Sequence, residues 1–176
     1  MKQRNRGFSL LELLIVVAII LTIMLVAMPK VTTMHMTGNE LSATKTLVTL
    51  QTACFQYQSS YGTFPKEQSQ LGPPQGGNPT SKDAADLVNG IDLPPGGGAA
   101  TKDGYAFRYV AGPVDSSGSI STYMVYADPL SYNNTGTKRF FMDQTTTIRF
   151  TTDGTPASAS SPQLGTRAPA SSPQPQ

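Results

Sequence analysis

The chain has 176 residues, of which 13 are Lys or Arg and 11 are Asp or Glu, and 38% are hydrophobic. This length suggests one domain with attached segments. Three of the basic residues lie in the first seven positions, so the rest of the chain is close to neutral and lacks the clustered basic face typical of nucleic-acid binding. A single cysteine, Cys54, excludes an intramolecular disulfide bond.

An almost continuous apolar run extends from Phe8 to Met28. As a helix it would be about 30 Å long, which matches the hydrocarbon core of a bilayer. Basic residues are concentrated before the run, so the positive-inside rule places the N-terminus in the cytoplasm and the rest of the chain outside. No small-residue cleavage site follows the run, which argues against a secretory signal peptide.

One carboxylate, that of Glu12, lies one turn inside this run. Such a group costs about 2.5 to 3.5 kcal/mol at the centre of a membrane helix and less near its end. Glu12 either reaches back to the lipid headgroups or pairs with a cation. A small residue, Gly7, separates the basic leader from the run. Cleavage after Gly7 would create a new α-amino group on Phe8, four residues before Glu12.

The sequence of residues 7–17, GFSLLELLIVV, resembles the prepilin motif of type IV pilins and of the pseudopilins of type II secretion. The resemblance implies that a prepilin peptidase cleaves after Gly7 and that Phe8 becomes N-methylphenylalanine. It also implies that Glu12 pairs with the N-terminal amine on Phe8 of a neighbouring subunit. Many pilins have a helix-kinking proline where this chain has Pro29.

Two features depart from that family pattern. Many pilins have a glycine midway along the helix, where this chain has Leu21. Many pilins also staple a C-terminal loop with a cysteine pair, which the lone Cys54 cannot provide. The loops of this chain are therefore expected to be held by packing and hydrogen bonds, or by a metal.

A helical pattern resumes after Pro29 and continues to about Tyr61. The apolar residues spaced by three and four form a core stripe, which consists of Leu47, Leu50, Cys54, Tyr57 and Tyr61. A neighbouring line repeats every seven residues at Leu41, Val48 and Phe55. We predict a cleaved leader at 1–7, a transmembrane and polymerisation half of the helix at 8–30, and an amphipathic half at 31–61.

The segment 62–103 is rich in Gly and Pro and is predicted to be a loop. Its start, Tyr61 to Pro65, resembles the turn that follows the helix in many pilins and pseudopilins. One short helix is predicted near 81–89, with Ser81 as its N-cap and Asn89-Gly90 as its end.

Residues 104–154 are predicted to form a four-stranded antiparallel sheet with one face packed on the helix stripe. The signals are alternation over 105–110, a β-rich run over 120–127 and a hairpin over 139–151. The predicted fold class is α+β, a long N-terminal helix with its outer half on the sheet, as in the pilin fold. The tail 155–176 is rich in Ser, Pro and Gln and lacks aromatic residues, so it is predicted to be disordered.

No residue pattern indicates catalysis, a cofactor or a metal. His35 and Cys54 are isolated, and no zinc spacing or phosphate-binding loop occurs. Asp128 and Asp143 are weak candidates for calcium ligands, since calcium takes several oxygen ligands and some major pseudopilins bind calcium in this part of the fold. The alternative is that both are turn residues bonded to their own backbone.

The resemblance implies a structural subunit rather than an enzyme. The precursor would be a single-pass protein of the bacterial inner membrane. It would meet the prepilin peptidase and an assembly platform, and would then form a homo-oligomeric filament in the periplasm or at the cell surface. One alternative is a pseudopilin of a type II secretion system. Another, from a different class, is a monomeric membrane-anchored binding domain.

Overall fold

The computed structural model describes residues 9–94, 96 and 98–165. The chain divides into two compact units at residues 35 and 36, which are considered separately below. One helix, α1 (Leu10–Tyr61), supplies the described part of the first unit and the beginning of the second. Position 29 lies within these helical bounds, and the kink at Pro29 stays a prediction.

In the first unit, the helix is long and apolar enough to cross a membrane, and none of its most apolar window is buried. The exposed fraction of its large apolar residues ranges from 81% at Leu10 to 46% at Val17 and Ile20. The hydroxyl of Thr22 donates to the carbonyl oxygens of Ala18 (3.2 Å) and Ile19 (2.8 Å). Because this hydroxyl is satisfied within the helix, it does not prevent the run from entering lipid.

The second unit contains one five-stranded antiparallel sheet in the order β1-β2-β3-β4-β5. Its strands are β1 (Ala100–Lys102), β2 (Tyr105–Ala111), β3 (Tyr123–Pro129), β4 (Arg139–Asp143) and β5 (Arg149–Thr151). Two 3₁₀ turns, Gln68–Leu71 and Gln75–Gly77, lie between α1 and β1. The α+β prediction is confirmed, and the arrangement is consistent with the pilin fold.

The predicted count of four strands is wrong, because β1 lies in the segment predicted to be a loop. Ala100 pairs with Phe107, and Ala100 is only 1% exposed. Asp103 and Gly104 both have positive φ, 46° and 76°, which are the signs expected for a type I′ hairpin turn. The Asp-Gly pair was therefore a sequence signal for this hairpin.

The core lies between α1 and one face of the sheet. Strands β2 and β3 alternate buried and less buried side chains, as expected for a sheet with one covered face. The largest fully buried side chains include Leu47, Leu50 and Tyr57 from the stripe and Tyr105, Phe107, Tyr123 and Phe140 from the strands. The stripe predicted from sequence therefore packs in the core.

The short helix predicted near 81–89 does not form. Ser81 and Ala84 instead exchange two backbone hydrogen bonds of 2.9 and 3.1 Å. Ala85 then donates to the carbonyl oxygen of Gln70, and Asp86 has a φ of 54°, outside the helical range. Val88 is fully buried. Burial in the core and pairing with a distant segment thus outweigh the local helical signals.

The tail predicted to be disordered is ordered up to residue 165. Phe150 N–H donates to the Pro162 carbonyl at 3.0 Å, and Leu164 N–H donates to the Ile148 carbonyl at 2.8 Å. Ala157 is 2% exposed. We call residues 157–164 the C-terminal strap, since they cover the edge of β5. Residues 166–176 lie outside the described part of the chain.

Candidate assembly site

The first turn of α1 is closed by a variant of the capping box, in which the N-cap Ser9 bonds to the second rather than the third helical amide. The Ser9 hydroxyl accepts the Leu11 N–H at 3.3 Å, and the Ser9 N–H donates to Oε2 of Glu12 at 3.0 Å. Leu13 N–H also donates to the Ser9 carbonyl at 3.2 Å. Ser followed three positions later by Glu is the sequence signature of this motif, so the pattern Ser9-x-x-Glu12 could have revealed it.

The capping box gives Glu12 a role within its own chain. Its carboxylate sits near the positive end of the helix dipole, which stabilises a negative charge. Oε2 is engaged by the Ser9 N–H, and among the described residues no hydrogen bond to Oε1 is found. Glu12 is exposed, so its second oxygen is accessible to a cation outside this segment.

The two residues expected to meet this carboxylate, Gly7 and Phe8, lie outside the described residues. The cleavage and methylation at these positions, and the pairing of Glu12 with the Phe8 amine, therefore stay proposals. Within the described chain, Oε2 of Glu12 already accepts a hydrogen bond from the backbone N–H of Ser9. Ser9 is the second residue after the expected cleavage point.

Beyond this turn the helix displays a long unpartnered apolar surface. Sixteen consecutive residues, 10–25, are all exposed, and apart from Glu12 and Thr22 they are apolar. Exposed apolar patches of this extent mark membrane or protein interaction surfaces. A lipid bilayer or other apolar helices would provide such surroundings.

The amphipathic half of α1 has a second exposed apolar feature. We call Leu41, Val48 and Phe55 the heptad line, because they repeat every seven residues. They are 57%, 49% and 38% exposed, whereas Leu47 and Cys54 of the stripe are fully buried. The line therefore lies on a face of the helix that the sheet does not cover.

The same half of α1 is fixed to the sheet by Glu40. Its Oε1 accepts the N–H and the hydroxyl of Thr137 at 2.9 and 2.8 Å and the Lys138 N–H at 3.3 Å. Its Oε2 lies 2.6 Å from Lys138 Nζ. Burial raises the pKa of Glu40, but the hydrogen bonds from Lys138 and Thr137 outweigh that effect and lower the pKa below its ordinary value. No sequence pattern pointed to this contact across nearly a hundred residues.

The two candidate calcium ligands are not brought together. Asp128 lies 3.6 Å from Nη1 of Arg139. Asp143 pairs with Met124, near the opposite end of β3, and accepts the N–H and hydroxyl of Thr145. Across the described ranges, no group of three or more His, Cys, Asp or Glu residues could hold a metal ion.

The remaining reactive side chains lie in unremarkable settings. Cys54 is fully buried, and burial raises the pKa of its thiol to about 12. His35 is exposed on α1.

Comparison with protein families matches residues 2–28 to the prokaryotic N-terminal methylation motif. No curated protein and no solved structure matches the chain. The motif supports a precursor of the type IV pilin or pseudopilin kind, a structural class processed by prepilin peptidase. Together with the apolar helix, it fits an inner-membrane precursor.

Proposed function

We propose that this chain is a structural subunit of a type IV pilus-like filament. The precursor is inserted in the inner membrane, cleaved after Gly7, N-methylated at Phe8 and polymerised through its N-terminal helix. The observation that carries the proposal is the methylation motif at residues 2–28, continuous with a helix whose apolar residues 10–25 are all exposed. Such a helix suits both a membrane-inserted precursor and a polymer core.

In this assembly, the charge of Glu12 determines where a neighbouring helix associates. In lipid, apolar helices gain little from hydrophobic burial against one another, so packing and polar contacts decide how they associate. A carboxylate whose Oε1 has no partner in its own described chain attracts the amine of a neighbour. The contact runs from one subunit to the next without closing, which builds a helical filament rather than a ring.

The pairing is tested by Glu12→Gln and Glu12→Ala in cells that assemble the filament. Gln keeps an oxygen that can accept the Ser9 N–H but has no charge, whereas Ala removes both. We expect both variants to be cleaved normally and to lower the sheared filament yield at least tenfold. Asp92→Ala, which removes an exposed acid from the segment before β1, is the control and should assemble normally. Full-length filaments of Glu12→Gln at normal yield would refute the charge pairing.

The broader proposal is tested by mass spectrometry of material sheared from the cell surface. A dominant peptide that begins with N-methylated Phe8 supports a surface filament. The same peptide confined to the membrane fraction favours a type II secretion pseudopilin. Chains that still begin at Met1 in every fraction would favour the membrane-anchored domain and overturn the proposal.

A further inference from the structure

The second unit has an open groove of about 220 Å³ between α1 and the C-terminal end of the described chain. Leu41 of the heptad line and Leu164 of the strap contribute to its walls, and they are 57% and 42% exposed. Phe140 of β4 is 1% exposed and also lines the groove. Three apolar side chains from three elements thus converge on one surface.

The charged side chains that line the groove do not favour binding of a charged ligand. Glu40 and Lys138 both line it, but their side chains are 2.6 Å apart and neutralise each other. Glu40 is further satisfied by Thr137. An ionic ligand would have to compete with these contacts, whereas an apolar one would leave them in place and cover the two leucines.

The chain itself provides an occupant of matching chemistry. Residues 10–25 form a helix rich in Leu, Ile and Val, with every side chain exposed. Helices pack by placing rows of such side chains into grooves on a neighbouring surface. In a polymer of identical chains, this segment is present in the same number as the groove.

We propose that the groove of one copy receives side chains from the apolar helix, residues 10–25, of a second copy, since a volume of about 220 Å³ fits a few side chains rather than a whole helix. The C-terminal strap then has an assembly role, since Leu164 completes the groove. This inference rests on the proposed filament function and deepens it by locating where a neighbouring subunit binds. It gives the strap a contact with a neighbouring subunit, whereas the methylation motif concerns only residues 2–28.

Cysteine cross-linking in the full chain tests the contact. Leu164→Cys is combined with single cysteines placed in turn at positions 10, 11 and 13–25, which leaves Glu12 intact, and cells that assemble the filament are oxidised. Native Cys54 can remain, because it is fully buried. The matched control is Leu130→Cys with the same partner positions, since Leu130 is 58% exposed at the end of β3 and does not line the groove. A Leu164→Glu variant, compared with Leu130→Glu, gives an independent measure of filament yield.

We expect ladders of dimers and larger species for Leu164→Cys with partner positions three or four apart, and none for Leu130→Cys. Leu164→Glu should lower filament yield at least fivefold, with Leu130→Glu unchanged. Filaments that form normally without any cross-link from Leu164→Cys would overturn the inference alone. A second outcome would also overturn it: the Leu164→Cys thiol is shielded from aqueous maleimide in membranes but forms no cross-link. Lipid, rather than a second copy, would then occupy the groove. A parent chain that yields no cleaved polymer would instead refute the proposed function.

Discussion

The carboxylate of Glu40 lies 2.6 Å from Nζ of Lys138 and joins α1 to the residues that lead into β4. The two residues are 98 positions apart in sequence. Glu40 is 7% exposed, so its charge depends on the donors of Thr137 and Lys138 rather than on water. The contact fixes the start of the amphipathic half of the helix against the sheet.

The first prediction concerns the stability of that contact. Glu40→Ala leaves the half-buried donors of Thr137 without their acceptor, so we expect the free energy of unfolding to fall by about 1 to 3 kcal/mol. Lys138→Met keeps the Thr137 bonds and removes only an ion pair whose lysine is 34% exposed, so its effect should be smaller. Denaturant unfolding of the full chain in detergent, followed by the circular dichroism of its seven tyrosines, measures both. Equal losses for the two variants would show that the ion pair dominates.

The second prediction concerns pH. The pKa of Glu40 is lower in the folded chain than its ordinary value of 4.5. A depressed carboxyl pKa stabilises the fold above the unfolded pKa, and this contribution is lost as the pH falls through the folded pKa. The stability difference between the parent chain and Glu40→Gln should therefore be constant from pH 7 to about 5.5 and shrink below about 4.5. Melting temperatures over pH 3 to 7 test this, and a difference that does not change with pH would contradict it.

Local patterns in the sequence indicated those parts of the fold that local physics decides. The three- and four-residue spacing predicted which face of α1 enters the core. Period-two alternation located β2, and β-rich runs located β3 and β4. The glycine at position 62 adopts a positive φ of 74° directly after the last helical residue, where a helix commonly stops. These features depend on residues that are neighbours in the chain.

The features that the sequence did not predict depend on contacts between residues far apart in the chain. The strap has the composition of a disordered tail, but Ala157 is buried and two of its backbone groups pair with residues beside and within β5. Segment 81–89 has helical end signals, yet Ala85 and Leu87 bond to the backbone near residue 70. The groove between Leu41 and Leu164 exists only because the strap is ordered, so no local pattern could reveal it.

The third prediction concerns the reactivity of Cys54. Burial raises the pKa of its thiol to about 12, so very little thiolate is present at pH 8. We expect no reaction with a water-soluble maleimide in the folded chain and full reaction in denaturant. Leu130→Cys, at an exposed position, serves as the positive control for labelling of folded protein. Rapid labelling of native Cys54 would mean that the core between α1 and the sheet opens readily.

The fourth prediction concerns the capping box. Ser9→Ala removes the side-chain bond to the Leu11 N–H, and loss of an N-cap costs about 1 kcal/mol. Amide exchange in the first turn of α1 should therefore accelerate about fivefold, while exchange near Leu47 stays unchanged. Hydrogen-exchange mass spectrometry of the full chain in detergent measures this. Ser9→Thr, which keeps the hydroxyl, should restore the parent rate; exchange in Ser9→Ala as slow as in the parent would contradict a capping role.

The fifth prediction asks whether the strap is part of the folded domain, and two alanines separated by one residue provide the comparison. Ala157 is 2% exposed, whereas Ala159 is exposed. Ala157→Asp would bury an unpaired carboxylate, which costs several kcal/mol unless the strap detaches. Detachment would forfeit the hydrogen bonds from Phe150 to Pro162 and from Leu164 to Ile148 and uncover the edge of β5, a site for unwanted strand pairing. We therefore expect Ala157→Asp to lower the melting temperature by at least 5 °C and to promote aggregation, with Ala159→Asp close to the parent. Equal melting temperatures for the two variants would contradict the packing of Ala157 in the folded domain, because the charge would then disrupt no contact.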